Sequence, residues 1–141
     1  MPTSLVERLL KTQGYLQVDS TNLADFLASA HEAVLFFTED PQRFPESNDV
    51  AAILPEIIRH YQPRLTAAVV SRAAQKELQL RFNFSQWPSL VFIRDGVRLG
   101  VISRVQSWGD YIAQIDELLA RPTREQIPLR HIDSLAQGGP L

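Results

Sequence analysis

The stretch FFTEDPQRFPESNDVAAILPEI, residues 36–57, decides the fold. It starts inside the continuous apolar run AVLFF (33–37), which is typical of a β-strand that is covered on both faces of its sheet. A polar loop follows and opens an amphipathic helix, whose apolar residues recur every three or four positions. We expect one of the polar residues 47–49 (Ser-Asn-Asp) to cap this helix. Pro55 should bend it, because proline removes one backbone N–H.

The segments around this stretch alternate between helix and strand patterns. The order is one helix followed by β-α-β-α-β-α-β-β-α, which predicts an α/β fold of three layers with a mixed central sheet and an extra N-terminal helix. The last two strands form a hairpin at Asp95-Gly96, a dipeptide that accepts the positive φ values of a tight turn. The remaining predicted helices lie within residues 4–14, 19–30, 71–84 and 107–120, and two further strands lie at 15–18 and 65–70.

The composition restricts the classes of function. At 141 residues the chain suits one domain (1–120), and we expect the proline- and glycine-containing residues 121–141 to form a loosely ordered tail. The net charge of −2 gives no general attraction to nucleic acid, and no apolar run is long enough for membrane insertion. The first ten residues lack the layout of a signal peptide, so we expect a cytoplasmic protein. With no cysteine in the sequence, disulfides, thiol catalysis and thiolate metal sites are excluded.

Two segments resemble thioredoxins in local detail as well as in element order. The segment VAAILPEIIRHYQPRLTAAVV (50–70) is similar to the one that holds the thioredoxin active-site helix and the next strand, with Pro55 as the helix-bending proline. The segment FNFSQWPSLVFIRDGVRLG (82–100) is similar to the region around the thioredoxin cis-proline, and Pro88 takes that position. The resemblance implies a thioredoxin-like three-layer fold over about residues 15–120.

The residues that give thioredoxins their redox chemistry are missing. The loop has no cysteine pair, and the run AVLFF has no buried acid of the kind that moves protons beside a redox loop. Thiol–disulfide exchange requires a thiolate on the protein. The chain therefore cannot be an oxidoreductase of that type.

The stretches FFTEDPQRFPESNDVAAILPE and FNFSQWPSLVFIRDG resemble the HyaE/HupG family of expression proteins of nickel–iron hydrogenases. In that family a cysteine-free loop replaces the redox motif, and a Trp-Pro pair stands at the cis-proline. The resemblance implies a cytoplasmic assembly chaperone, not an enzyme, that binds the twin-arginine signal peptide of the hydrogenase small subunit before export. It also implies other hydrogenase maturation proteins as partners.

Four acidic residues stand between the predicted strand and helix. Glu39, Asp40, Glu46 and Asp49 lie in or next to the loop at the carboxyl end of a central strand, where open α/β sheets bind ligands. A carboxylate can bind a guanidinium through two parallel hydrogen bonds, so we predict that these acids attract the arginines of the signal peptide. For Glu46 and Asp49 the alternative is simple stabilisation of the helix start.

Three further residues complete the predicted peptide-binding site: Phe44, Trp87 and Pro88. In redox thioredoxins the backbone before the cis-proline pairs with an extended peptide, a form of strand addition. A purely structural role for Trp87 and Pro88 stays open as well. Phe44 either packs into the core or stands exposed as an anchor.

Nothing in the sequence predicts a cofactor or a metal ion. His31, His60 and His131 share no ligand spacing, and neither a glycine-rich phosphate loop nor a nucleophile-elbow motif occurs. The alternative to a signal-peptide chaperone is a structural module. Such a module would join a hydrogenase assembly complex through its helical faces or its tail, without binding the signal peptide directly.

Overall fold

The computed structural model describes residues 4–122. Nearly all of the predicted tail (121–141), including His131, lies outside the described residues, so the domain boundary stays a prediction. No helix within residues 4–122 is long and apolar enough to cross a bilayer.

Within residues 4–122, five strands form one mixed sheet. They are β1 (Leu16–Val18), β2 (Glu32–Phe37), β3 (Thr66–Val70), β4 (Ser89–Arg94) and β5 (Val97–Ser103). Their order across the sheet is β1-β3-β2-β4-β5, with β1, β3 and β2 parallel. Strand β4 runs antiparallel to β2, and β5 runs antiparallel to β4. Strand β2 therefore lies at the centre of the sheet. Its carboxyl end leads into the loop of residues 38–45, which contains Glu39 and Asp40 and is called the acidic loop below.

In the described part of the chain, five α-helices cover the two faces of the sheet. They are α1 (Leu5–Lys11), α2 (Leu23–Ser29), α3 (Glu46–His60), α4 (Gln75–Phe82) and α5 (Trp108–Ala120), with a short 3-10 helix at Arg72–Ala74 ahead of α4. Helices α1, α3 and α5 contribute to one hydrophobic cluster, and α2 and α4 contribute to the other. This arrangement confirms the predicted thioredoxin-like three-layer fold with an extra N-terminal helix.

The central strand β2 shows why its sequence is continuously apolar. Val34 and Phe36 belong to the cluster with α1, α3 and α5, whereas Leu35 and Phe37 belong to the cluster with α2 and α4. Because both faces of the strand are covered, apolar residues are needed at successive positions rather than at alternate ones.

The start of α3 differs from the prediction. The helix begins at Glu46 with Pro45 as its N-cap, and no side chain from residues 4–122 caps it, so the expected cap from residues 47–49 is wrong. The Ser47 hydroxyl instead donates to the Thr38 carbonyl oxygen, which ties the helix start to the end of β2. Pro55 lies inside α3 as predicted.

Strand β2 also begins one residue earlier than predicted, at Glu32, so the expectation of a strand without an ionisable group is wrong at that residue. The Glu32 carboxylate is buried, and it accepts from Arg94 Nε at 2.9 Å and from Arg64 Nη2 at 3.1 Å. Burial alone would raise the pKa of Glu32, but the hydrogen bonds and charges of the two arginines outweigh it and lower that pKa. Glu32 lies at the amino end of β2, opposite the acidic loop.

The β4–β5 turn forms as predicted. Asp95 has a φ of 50° and Gly96 a φ of 80°, the left-handed values that a two-residue hairpin turn requires. Arg94, the last residue before the turn, lies opposite Glu32 in the antiparallel β2–β4 register and pairs with it.

Candidate functional site

Three segments meet at the carboxyl end of β2: the loop of residues 38–45, the Trp87-Pro88 turn ahead of β4, and the residues that follow β5. The Trp87–Pro88 peptide bond is cis, as the sequence predicts. The backbone N–H of Arg104 donates to the Pro88 carbonyl at 2.8 Å, and Arg104 Nε donates to Glu46 at 2.7 Å. The site thus joins the start of α3 to the segment after β5.

Gln75 holds the 38–45 loop to the end of β3. Its side chain is buried and donates to Thr38 Oγ1 at 3.1 Å and to the Val70 carbonyl at 2.9 Å. Its Oε1 accepts from the Glu39 N–H at 2.7 Å. All three contacts of this amide are long-range or cross-element, so no local sequence pattern identifies Gln75 as the residue that positions the loop.

Three of the four predicted acids are already paired with arginines. Glu39 accepts from Arg72 at 3.1 Å, and Asp40 lies 3.9 Å from the same guanidinium. Glu46 is paired with Arg104. The acids therefore do not form an uncompensated negative surface, and an incoming cation has to compete with these two arginines.

The fourth acid, Asp49, is exposed in the first turn of α3, and no ion pair involves it within residues 4–122. A negative charge at this position stabilises the start of the helix through the helix dipole, the alternative role considered for Asp49 from the sequence. Asp49 also adds a negative charge close to the Glu46–Arg104 pair, since both acids act on the pKa of the nearby phenol of Tyr111. Burial is the main cause that raises the pKa of Tyr111, whose hydroxyl donates to the Arg104 carbonyl at 3.2 Å.

The two arginine pairs are accessible to solvent. The side chains of Arg72 and Arg104 are 54% and 53% exposed, whereas that of Glu39 is only 13% exposed. Pairs at this level of exposure contribute about 0.2–1 kcal/mol. Backbone N–H groups also hold the first two acids, since Glu39 Oε1 accepts from the Asp40 N–H at 3.0 Å and Asp40 Oδ1 accepts from the Gln42 N–H at 3.0 Å. The arginine partners can therefore be exchanged at low energetic cost.

Two residues of this site have an unusual backbone conformation. Glu39 and Arg104, which belong to different ion pairs, have φ values of 50° and 64°. Non-glycine residues rarely adopt this left-handed conformation, and such residues are concentrated at functional sites. Both positions are held by hydrogen bonds of their own N–H groups, to Gln75 and Pro88 respectively.

The predicted aromatic residues are half-buried. The Trp87 ring lies 5.2 Å from the Phe84 ring and 6.2 Å from the Phe37 ring, so part of it is fixed by the core. Phe44 is also half-buried, and the Arg43 guanidinium lies 5.7 Å from its ring centre. Part of each ring is therefore buried and part is exposed beside the loop. This geometry is compatible with a structural role and with contact to a bound peptide.

The described residues contain no group of three histidine or acidic side chains that could hold a metal ion. His31 contacts Asp95 at 2.6 Å, and the ring of His60 packs against Tyr61 and Trp108. What the site offers is a set of fixed carboxylates, a half-buried indole and a loop backbone.

Comparison with known proteins places this geometry in a family. The model of the family described as hydrogenase-1 expression protein HyaE matches residues 5–111, a range that includes the whole site. The chain belongs to the HyaE family. The resemblance noted in the two sequence stretches is thereby confirmed.

Relatives of this HyaE-family chain cover most of its length. The hydrogenase expression/formation protein HoxO of Azotobacter vinelandii is 42% identical over 136 residues, which are 96% of this chain and 90% of that protein. The hydrogenase expression/formation protein HupG of Rhizobium leguminosarum bv. viciae is 41% identical over 124 residues, or 85% and 83% of the two chains.

Solved structures agree with the family and with the fold. A crystal structure assigned as the hydrogenase expression/formation protein HupG of Rhodopseudomonas palustris has 42% identity and a TM-score of 0.55, covering 74% of this chain and 95% of that one. A thioredoxin variant from Halobacterium salinarum has a TM-score of 0.62 over 77% of this chain and 93% of its own, with 16% identity. The second likeness shows the fold alone.

Proposed function

We propose that this HyaE-family protein is a non-enzymatic chaperone of hydrogenase maturation in the cytoplasm. In this proposal it binds the twin-arginine signal peptide of the hydrogenase small subunit before export. The family match and the names of the relatives support a role in hydrogenase expression and formation. The sequence has no cysteine, so the thioredoxin-like scaffold supplies binding here rather than thiol chemistry.

One observation carries the proposal: the carboxylates at the site already bind guanidinium groups. Arg72 pairs with Glu39 and Asp40, and Arg104 pairs with Glu46. A peptide with two adjacent arginines brings two groups of the same chemistry. Because the internal pairs are exposed and weak, the peptide arginines can replace Arg72 and Arg104 without leaving a buried charge unpaired.

The surroundings of the acids support an extended ligand. The Trp87-Pro88 turn lies beside the loop, at the place where thioredoxins pair with extended peptides through main-chain hydrogen bonds. The half-buried rings of Phe44 and Trp87 offer apolar contacts for the stretch that follows the arginines in such a signal.

The test is a titration of the full-length chain with a synthetic twin-arginine signal peptide, by isothermal calorimetry at low and at moderate salt. The variant Glu39→Gln/Asp40→Asn should bind the peptide more weakly, by up to about 5-fold, since it removes both carboxylates that face Arg72. The matched control is Glu56→Gln/Glu117→Gln, which makes the same change in net charge at two exposed acids that pair with Arg59 and Arg121. Equal affinity of the two double variants would refute the role of the loop acids.

A structural role in an assembly complex is the second candidate, and one observation favours it. Leu80 on α4 is 83% exposed, and Leu16 on the edge strand β1 is 49% exposed, both with apolar side chains. A module that joins a complex through these residues would capture the folded hydrogenase small subunit but not the free signal peptide. Capture that is lost in Leu80→Ser and unaffected by Glu39→Gln/Asp40→Asn would support this candidate.

A further inference from the structure

A cavity of about 220 Å³ lies between α1 and the parallel strands, next to the acidic loop. Its apolar lining comes from α1, from β3 and from the loop itself: Val6, Leu10, Val69, Val70 and Pro41. An engineered apolar cavity of about 150 Å³ binds benzene. The space is therefore sufficient for one large aliphatic or aromatic side chain.

The extra N-terminal helix creates this cavity. Val6 and Leu10 are half-buried, and they line the space together with Val69 of β3. A capping box formed by Ser4 and Glu7 fixes the start of α1, with Ser4 Oγ accepting from the Glu7 N–H at 3.1 Å. The wall is thus part of a defined helix rather than of an irregular segment.

Arg72 links the cavity to the predicted peptide-binding site. Its side chain lines the cavity, and its guanidinium is the group that pairs with Glu39 and Asp40. A ligand arginine that takes the place of Arg72 on these acids therefore lies at the mouth of the cavity.

The charges at the mouth favour a cationic ligand. Glu7 and Arg72 line the cavity. Lys11 pairs with Glu7, and Glu39 and Asp40 pair with Arg72. These residues together carry three negative and two positive charges. The local excess is one negative charge around an apolar space. This combination is complementary to a segment in which a positive residue stands next to an apolar one.

We propose that the cavity receives one apolar side chain of the bound signal peptide, from the stretch that follows the arginine pair. The inference rests on the proposed function and extends it. The acids bind a guanidinium, and the cavity behind Arg72 selects a large apolar residue close to it in the peptide. Peptide recognition then has two subsites, one for charge and one for shape.

The experiment combines an alanine scan of the peptide with a variant that fills the cavity. At one apolar position of the peptide, substitution by alanine should lower the affinity for the wild-type protein about 10- to 100-fold. This is the range expected for the burial of one large apolar side chain. Val6→Phe should weaken binding of the parent peptide to a similar degree. It should also abolish the difference between the parent and that alanine peptide, because the phenyl ring occupies the space.

Val97→Phe is the matched control. Val97 is also a half-buried valine, but it lies at the β4–β5 turn, at the opposite end of the sheet. This variant should bind the parent peptide within about 2-fold of wild type, and thermal unfolding of both variants reports whether they fold. The alanine scan on the wild-type protein needs no protein variant, so it tests the cavity even if Val6→Phe is unstable.

The outcomes separate the two proposals. If the wild-type chain binds the peptide and no alanine substitution matters, or if Val6→Phe keeps the dependence on that residue, the cavity inference is overturned and the role of the acids stands. If the wild-type chain does not bind the peptide at all, the proposed function fails and the inference fails with it.

Discussion

Removing the arginine that pairs with the loop acids should strengthen binding of a cationic peptide. In Arg72→Gln, the carboxylates of Glu39 and Asp40 lose their internal partner, at 3.1 Å and 3.9 Å respectively, and become available to a peptide arginine. The Arg72 side chain is 54% exposed, so the pair contributes about 0.2–1 kcal/mol. Since this interaction no longer has to be broken, the Kd for the peptide should fall about 1.4- to 5-fold.

The same reasoning applies to Arg104, which pairs with Glu46 and is 53% exposed. The two arginines serve different acids, so their effects should add, and Arg72→Gln/Arg104→Gln should bind about 2- to 25-fold more tightly than wild type. This direction is informative because an arginine that contacted the peptide itself would give the opposite result on removal.

The assay is calorimetric titration of the synthetic twin-arginine peptide into wild type, each single variant and the double variant, at two salt concentrations. Arg59→Gln/Arg98→Gln is the control, because it removes two exposed arginines outside the site and makes the same change in net charge. If the control tightens binding as much as the double variant does, the effect is one of overall charge. Unchanged or weaker binding in Arg72→Gln/Arg104→Gln, with folding intact, would refute the exchange of internal for peptide arginines.

Three further predictions concern stability. Glu32→Gln should lower the free energy of unfolding by about 3 kcal/mol in chemical denaturation, because it leaves the buried Arg94 guanidinium without its carboxylate. The control Glu56→Gln, at an exposed pair, should change it by less than about 1 kcal/mol. Because the pKa of Glu32 is lowered in the folded protein, its carboxylate contributes fully to the free energy of unfolding above the ordinary glutamate pKa. This contribution is lost as the pH falls toward the lowered pKa. Glu32→Gln should lack this acid-dependent loss when unfolding is measured against pH. All three tyrosines have raised pKa values, caused first by burial and in Tyr61 also by its hydrogen bond to Asp116. Stability should therefore decline as the pH rises above about 10, the ordinary tyrosine pKa, and tyrosinate absorbance should appear together with unfolding rather than before it.

The order of helices and strands could be predicted because each rests on a local pattern. The continuous apolar run of β2 follows from burial on both faces, and the Asp95-Gly96 turn follows from two residues that accept positive φ. The start of α3 was misplaced because Ser47, a good cap by type, uses its hydroxyl to hold the end of β2. Local preference was overridden there by a contact nine positions away in sequence.

The sequence could predict where the proposed site residues lie in the fold, but not which residues they pair with. The sequence places four acids beside one strand end, yet the partners of three of them come from afar: Arg72 lies 33 positions from Glu39, and Arg104 lies 58 positions from Glu46. The pairing of Glu32 with Arg94 spans 62 positions. Such contacts depend on which strand ends meet in the folded sheet, and side-chain periodicity contains no information about them.

The internal pairs also determine how binding should respond to salt. In the wild-type protein each peptide arginine replaces an arginine that was already neutralising a carboxylate, so the number of charges brought together changes little on binding. Salt should then weaken binding only moderately, and the affinity should come mainly from main-chain and apolar contacts, which salt does not screen. In Arg72→Gln/Arg104→Gln the acids are uncompensated before binding, so the Kd should rise more steeply with salt than in wild type. Equal salt dependence in the two proteins would mean that the peptide does not displace these arginines. The change in affinity and the change in salt dependence are independent measurements of the same exchange.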